Sequence, residues 1–194
     1  MLIRWLCCCG MGAARLLELA YSRRNLRRMG VASEGVANRV SYPLVVLLHT
    51  VVILGTVFWG KQPRPRWLLL LLTAQPVRLW VLTTLRERWN TRGAVARTTE
   101  VATNGPYAYM RHPNYAVVAV ELFCLPVAFG LPRFAICASI ANGLLLAVRI
   151  RDEERLLAEL PGYPEHFDDK PRFVPSIRLR RRIAGRQHRE ASGF

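Results

Sequence analysis

Polar and aromatic side chains gather directly before a long apolar segment in "NGPYAYMRHPNYAVVAVELF", residues 104–123. The Asn-Gly-Pro turn, followed by a proline suited to a first helical turn, predicts a helix beginning near Pro113. Backbone N–H groups at a helix start favour an anion. A negatively charged ligand could bind there beside aromatic rings, or the residues could form an interfacial aromatic belt with a snorkelling arginine. The side chains concerned are Tyr107, Tyr109, Arg111, His112, Asn114 and Tyr115.

A second group of charges follows the last apolar segment, in "LLLAVRIRDEERLLAELPGYPEHF", residues 144–167. Arg149 and Glu153 are four residues apart and therefore share one face of a helix. An ionisable side chain at membrane depth is by default a functional hypothesis. The alternative is a helix that leaves the bilayer with surface ion pairs, each worth about 0.3–0.5 kcal/mol.

Together the two stretches offer an anion-binding helix start, aromatic rings and a carboxylate. A zwitterionic ligand with an aromatic base would use all three, and S-adenosylmethionine is one such ligand, although these residues alone do not single it out. No His, Cys or Asp cluster has the spacing of a metal site. The adjacent Cys7, Cys8 and Cys9 suit neither a metal nor a disulfide framework, which leaves ordinary thiols or juxtamembrane lipidation.

Apolar segments supply the elements that must position these groups. A helix that spans ~30 Å of hydrocarbon needs ~20 mostly apolar residues. Of the four apolar segments in this chain, only the first two, residues 41–60 and 67–85, reach that length. The last two are joined by "LPR", which predicts a tight helical hairpin, and residues 1–21 could span or lie in the interface. The second segment holds only Arg78 as a charge and the third only Glu121. The segments are residues 41–60, 67–85, 115–130 and 134–148.

Because no segment alternates with period two, we predict an all-α fold, a polytopic membrane helix bundle of about five transmembrane helices. The chain has 194 residues, is 52% hydrophobic and carries a formal charge of +15. Arginine-rich loops at 21–39 and 86–114, together with the C-terminal tail, alternate with arginine-poor loops, which places the rich loops and the C-terminus in the cytoplasm. No aromatic or fold module accompanies the basic tail, so nucleic-acid binding is not expected.

Three motifs at this spacing resemble one protein family. "GPYAYMRHPNY", then "RIRDEERLL" about forty residues later, then "GYPEHFDDKPRFVP" resemble the isoprenylcysteine carboxyl methyltransferase family over residues 86–177. The upstream "RLLELAYSRRN", "YPLVVLLH" and "LRERWNTRGAV" are similar to a bacterial membrane branch that resembles alkylpyrone O-methyltransferases. The sequence departs from the family pattern at 99–102, where His-x-Leu-Val is usual, and at His166-Phe167, where a tyrosine is usual.

The resemblance implies an integral-membrane, S-adenosylmethionine-dependent O-methyltransferase that acts on a lipidic carboxylate or enol of the isoprenylcysteine or alkylpyrone type. A phospholipid N-methyltransferase, an NADPH-binding reductase of the sterol type and a non-catalytic membrane protein are the alternatives. Under the methyltransferase interpretation, the chain divides into N-terminal membrane helices (1–85), a methyltransferase core with a cytoplasmic-side cofactor pocket (86–177) and a basic tail (178–194).

The resemblance also implies roles for individual residues. Glu153 would bind the ammonium of S-adenosylmethionine, and Arg149, one turn earlier, would face the acceptor's oxygen anion as the catalytic residue. No metal is expected, and the sequence leaves the methyl acceptor and the oligomeric state open. The cofactor-binding residues implied are Val101, Ala102, Tyr107, His112, Pro113, Asn114, Tyr115 and Glu153.

Overall fold

The computed structural model describes residues 1–30, 34–96 and 100–175. These stretches form helices and loops and contain no β-strand, which confirms the all-α prediction. Short 3-10 turns at Arg86–Arg88 and Gly105–Ala108 flank the long loop before α4. The predicted basic tail lies outside the described residues. The α-helices are α1 (Leu2–Met29), α2 (Val36–Trp59), α3 (Pro65–Leu85), α4 (Pro113–Ala128), α5 (Pro132–Ala158) and α6 (Tyr163–Phe167).

Among the described helices, three are long and apolar enough to cross a membrane: α2, α3 with its extension to Arg88, and α5. Helix α4 has 16 residues and is shorter, and α1 is a single 28-residue helix that carries several charges. Large apolar side chains point outward from the three apolar helices, as expected of surfaces that face lipid. They include Leu47, Leu54, Phe58, Leu69, Leu72, Leu79, Ile140 and Leu144.

Helices α4 and α5 form the predicted hairpin, but its loop is residues 129–131 and not "LPR" at 131–133. Pro132 is the first residue of α5 because its fixed φ and missing N–H suit a first helical turn. Gly130 adopts φ +77° in the turn, a conformation that costs glycine little. The Gly130 and Leu131 N–H groups donate to the carbonyls of Val127 and Pro126 at 3.0 and 2.9 Å.

Helix α4 lies at the centre of the bundle and packs against α2, α3 and α5. Its side chains Leu122 and Leu125 are almost fully buried, together with Phe129 just beyond its end and Val52 of α2. Because α4 is surrounded, the polar residues at its first turn are held by neighbours on several sides.

The lone charges of the apolar segments pair with one another inside the bundle. Arg78 on α3, which is 4% exposed, lies between Glu18 of α1 (Nε–Oε1, 3.0 Å) and Glu121 of α4 (Nη2–Oε2, 3.2 Å). Arg15 pairs with Glu18 at 3.0 Å, and Gln75 donates to Glu121 at 3.0 Å. Buried charges are tolerated when they are paired in this way, so the ion network joins α1, α3 and α4.

Candidate active site

Tyr115 and Glu153 face each other between α4 and α5. The Tyr115 hydroxyl donates to Glu153 Oε2 at 2.5 Å, which joins the first turn of α4 to the polar end of α5. Arg149, one turn before Glu153, is 3% exposed and donates from Nη2 to the Thr91 carbonyl at 2.7 Å. A carboxylate and a guanidinium, the two groups that the sequence singles out, therefore share one helical face.

Glu153 lines a cavity of about 110 Å³ under the loop that precedes α4, which we call the loop cavity. Tyr107 is partly buried beside it. Burial, and then the Glu153 carboxylate, hold the pKa of Tyr107 above its usual range, so the phenol stays protonated. The stacked rings of Tyr163 and Phe167 close the far side, with centroids 4.8 Å apart. The wall also contains Val101, Ala102, Arg111, Leu157 and Leu160.

A smaller space of about 60 Å³, the linking cavity, lies between the loop cavity and the membrane helices. It shares Tyr107 and Glu153 with the loop cavity. On its other side it shares Tyr115 and Arg149 with a larger groove. Its wall also contains Trp89, Asn90, Thr91, His112 and Asn114. The Glu153 carboxylate and the Arg149 guanidinium thus both line the linking cavity, which lies between the loop cavity and the larger groove.

The larger space is an apolar groove of about 330 Å³ between α1, α2, α4 and α5. Most of its wall surface is apolar, and its aliphatic side chains include Leu16, Leu19, Val45, Val46, Ile53, Leu54 and Leu146. Arg15, Glu18 and Arg78 of the ion network and His49 supply a polar part. Because small-molecule sites are mostly apolar with a few placed polar groups, the groove suits a molecule with an aliphatic chain and one polar end.

His112 is part of a clasp that holds the C-terminal segment against the start of α4. Its Nε2 lies 3.0 Å from Glu154 Oε1, and Arg172 contacts the same carboxylate at 2.7 and 3.0 Å. The backbone N–H of His112 donates to the backbone carbonyl of Arg172 at 3.0 Å. Glu154 lies beyond the apolar part of α5, which ends at Val148. The hydrogen bond with His112 and the Arg172 guanidinium lower its pKa to about 2.

The structure brings eight of the nine residues implied by the resemblance to the loop or linking cavity. Pro113 is the exception: it is almost fully buried and begins α4, but it lines neither space. In the described part of the chain no group of three or more His, Cys, Asp or Glu residues could hold a metal.

Comparison with known proteins adds to this geometry. Residues 67–159 match the model of the isoprenylcysteine carboxyl methyltransferase family. The uncharacterized protein YpbQ of Bacillus subtilis (strain 168) is 33% identical over 165 residues, which cover 80% of this chain and 96% of that protein. The chain belongs to the isoprenylcysteine carboxyl methyltransferase family. The protein is accordingly a membrane methyltransferase, and the recognition made from the three motifs is confirmed.

A second relative overlaps less of the chain. The nickel-cobalt-cadmium resistance protein NccN of Alcaligenes xylosoxydans xylosoxydans is 33% identical over 81 residues, 42% of this chain and 37% of that protein. The family match at 67–159 covers almost all of α3 and the whole of α4 and α5. It therefore contains every residue of the linking cavity.

Several residues of these cavities were not singled out from the sequence. Trp89, Asn90 and Thr91 line the linking cavity, although "LRERWNTRGAV" served only as a mark of resemblance. Glu154 was likewise not singled out, and only the fold shows that its carboxylate contacts the His112 ring. The Tyr163 hydroxyl is buried beside the loop cavity and has no hydrogen-bond partner within residues 1–30, 34–96 and 100–175. Its position after Gly162 in the terminal motif was the available signal.

Proposed function

We propose that this family member is an S-adenosylmethionine-dependent O-methyltransferase that acts on a lipidic acceptor with an ionised oxygen, a carboxylate or an enol. The observation that carries the proposal is the linking cavity, which joins Glu153 on the loop side to Arg149 on the groove side. A cofactor and an acceptor bound in the two outer spaces would meet there.

The loop cavity fits the proposed cofactor by the chemistry of its wall. Glu153 offers a carboxylate for an ammonium, and its only hydrogen-bond partner among the described residues is Tyr115. The Tyr163 hydroxyl, which has no partner in the described part of the chain, offers a further polar contact, because buried polar groups normally have partners. Val101, Ala102 and Tyr107 would pack against the adenine, while His112, Asn114 and Tyr115 would contact the part of the cofactor nearest the linking cavity. Pro113 would act by starting α4.

The chain would promote methyl transfer by positioning and by excluding water. S-adenosylmethionine, when bound, supplies an electrophilic methyl group. Transfer to an oxygen anion is an in-line displacement, so orientation and desolvation contribute most. An ionised carboxylate or acidic enol needs no strong general base. Arg149, buried and fixed by the Thr91 carbonyl, would hold the acceptor oxygen while the aliphatic chain lies in the apolar groove.

Arg149 also bears on the choice of acceptor. A buried guanidinium attracts an anion and repels an ammonium, which favours an O-acceptor over the amine of a phospholipid N-methyltransferase. The isoprenylcysteine and alkylpyrone types both carry such an oxygen.

We further propose that α1 and α4 complete a bundle of five transmembrane helices. In this arrangement the site and the C-terminus would lie on the cytoplasmic side, which is the side that arginine-rich loops favour.

The decisive experiment is equilibrium binding of S-adenosylmethionine to the detergent-purified protein. Glu153→Gln keeps the shape but removes the charge, so we expect the dissociation constant to rise at least tenfold, about 1.4 kcal/mol. Glu159→Gln, an exposed carboxylate just beyond α5, is the matched control and should bind as the wild type does. A folded wild type that binds NADPH and not S-adenosylmethionine would contradict the proposal.

A further inference from the structure

Trp89 is a buried aromatic side chain whose polar atom has no hydrogen-bond partner in the described part of the chain. The residue is 2% exposed, and its indole Nε1 finds no hydrogen-bond acceptor among the described residues. Most buried polar side-chain atoms in proteins have at least one partner, and an indole N–H is only a donor. Such an N–H therefore calls for an acceptor that the described residues do not supply.

Helix α1 holds Trp89 in place. Asn25 Nδ2 donates to the Trp89 carbonyl at 2.7 Å and to the Arg86 carbonyl at 3.0 Å. The Tyr21 ring stacks on the indole, with centroids 5.8 Å apart and planes 17° from parallel. The N–H of Thr91 donates to Ser22 Oγ at 2.9 Å. The backbone around Trp89 and its ring are both fixed, so the direction of its N–H is built into the fold.

Arg149 presents a second unpartnered donor in the same region. Its Nη2 is bonded to the Thr91 carbonyl, but its buried Nη1 has no hydrogen-bond partner among the described residues. Trp89 and Arg149 each line both the apolar groove and the linking cavity. Two residues that each carry a buried donor without a partner among the described residues, one of them cationic, thus line the place where the groove meets the linking cavity. The negative group of that cavity, Glu153, is already engaged by Tyr115.

We propose that the Trp89 indole N–H is a second donor to the acceptor's oxygen anion, and that Trp89 and Arg149 together select ionised oxygen acceptors. This inference rests on the proposed function and specifies its acceptor. A carboxylate or enolate oxygen accepts two hydrogen bonds at once, and a charged acceptor makes both bonds stronger. An alcohol lacks the charge, and an ammonium has no lone pair to accept either bond. Trp89 is therefore a specificity-determining residue.

The test compares two probes of equal chain length, hexadecanoate and hexadecan-1-ol, bound to the full-length protein in detergent. The wild type should prefer hexadecanoate. Trp89→Phe should reduce that preference about tenfold or more, the usual value of a hydrogen bond to a charged group, while binding S-adenosylmethionine as before. Tyr21→Phe is the matched control: it keeps the stacked ring and should retain the wild-type preference.

A second variant separates the N–H from the size of the ring. Replacing Trp89 by 3-benzothienylalanine substitutes sulfur for the N–H and keeps the bicyclic ring, so packing is preserved. The preference for hexadecanoate over hexadecan-1-ol should fall as it does in Trp89→Phe. An unchanged preference in this variant would overturn the inference, as would equal binding of both probes by the wild type. Failure of the wild type to bind S-adenosylmethionine would instead count against the proposed function, because the ratio of probe affinities is measured without it.

Discussion

Arg78 on α3 donates from Nη1 to the side-chain oxygen of Asn114, in the first turn of α4, at 3.0 Å. The same guanidinium pairs with Glu18 and Glu121 inside the bundle. Asn114 lines the linking cavity. The buried ion network is therefore connected directly to the candidate site, and it fixes the start of α4 against α1 and α3.

Removing Arg78 should destabilise the protein strongly. Arg78→Leu leaves the Glu18 and Glu121 carboxylates short of a partner, and breaking a buried ion pair in this way costs about 3–5 kcal/mol. Thermal unfolding in detergent measures the loss. Arg66→Leu, an exposed arginine at the start of the same helix, should change little, and equal stability of the two variants would contradict a structural role for the network.

Stability should fall between about pH 4.5 and pH 2 because of Glu154. Its pKa is lowered from 4.5 to about 2 in the folded protein, first by the hydrogen bond with His112 and then by Arg172. A group with a depressed folded pKa contributes stability above its unfolded pKa and loses it as the pH falls through the folded pKa. Glu154→Gln should be less stable at pH 6 and show a flatter profile in this window.

The measurement is the unfolding temperature of the detergent-purified protein from pH 6 to pH 2.5. Glu165→Gln, in α6 near the same C-terminal segment, serves as the control and should follow the wild-type profile. Parallel profiles for wild type and Glu154→Gln would show that the clasp contributes no pH-dependent stability.

Gly93 should be required for the shape of the loop cavity, where we propose that the cofactor binds. It has φ +64° and lines both the loop cavity and the linking cavity. A Cβ added there would lie 3.0 Å from Asn38 Nδ2 and 3.4 Å from Glu153 Oε2. Gly93→Ala should therefore lose about 1–2 kcal/mol of stability through its left-handed backbone and should also bind S-adenosylmethionine several-fold more weakly.

Gly162→Ala separates these two effects. Gly162 has φ +81°, but a Cβ there would meet nothing within 4 Å. This variant should share the loss of stability and keep wild-type cofactor binding, both measured by unfolding and equilibrium titration. If both variants weaken binding equally, crowding near Glu153 is not the cause.

The sequence by itself determined the all-α class, the apolar helices, the hairpin of α4 and α5, and the family. These features depend on local properties: the length of an apolar run, a proline that suits a first turn, and the spacing of a motif. The sequence also indicated Glu153 and Arg149, because residues four apart share a face of any helix. The number of spanning helices and the sidedness of the site stay predictions.

Only the tertiary structure decided which side chains meet across the bundle. The lone charges Arg78 and Glu121 form an ion pair, and His112 Nε2 contacts the carboxylate of Glu154. Trp89 is positioned by stacking against Tyr21 and by a hydrogen bond from Asn25, residues that lie more than sixty positions earlier in the chain. Such contacts depend on how helices pack and rotate against one another, and a single sequence carries no local signal for that packing.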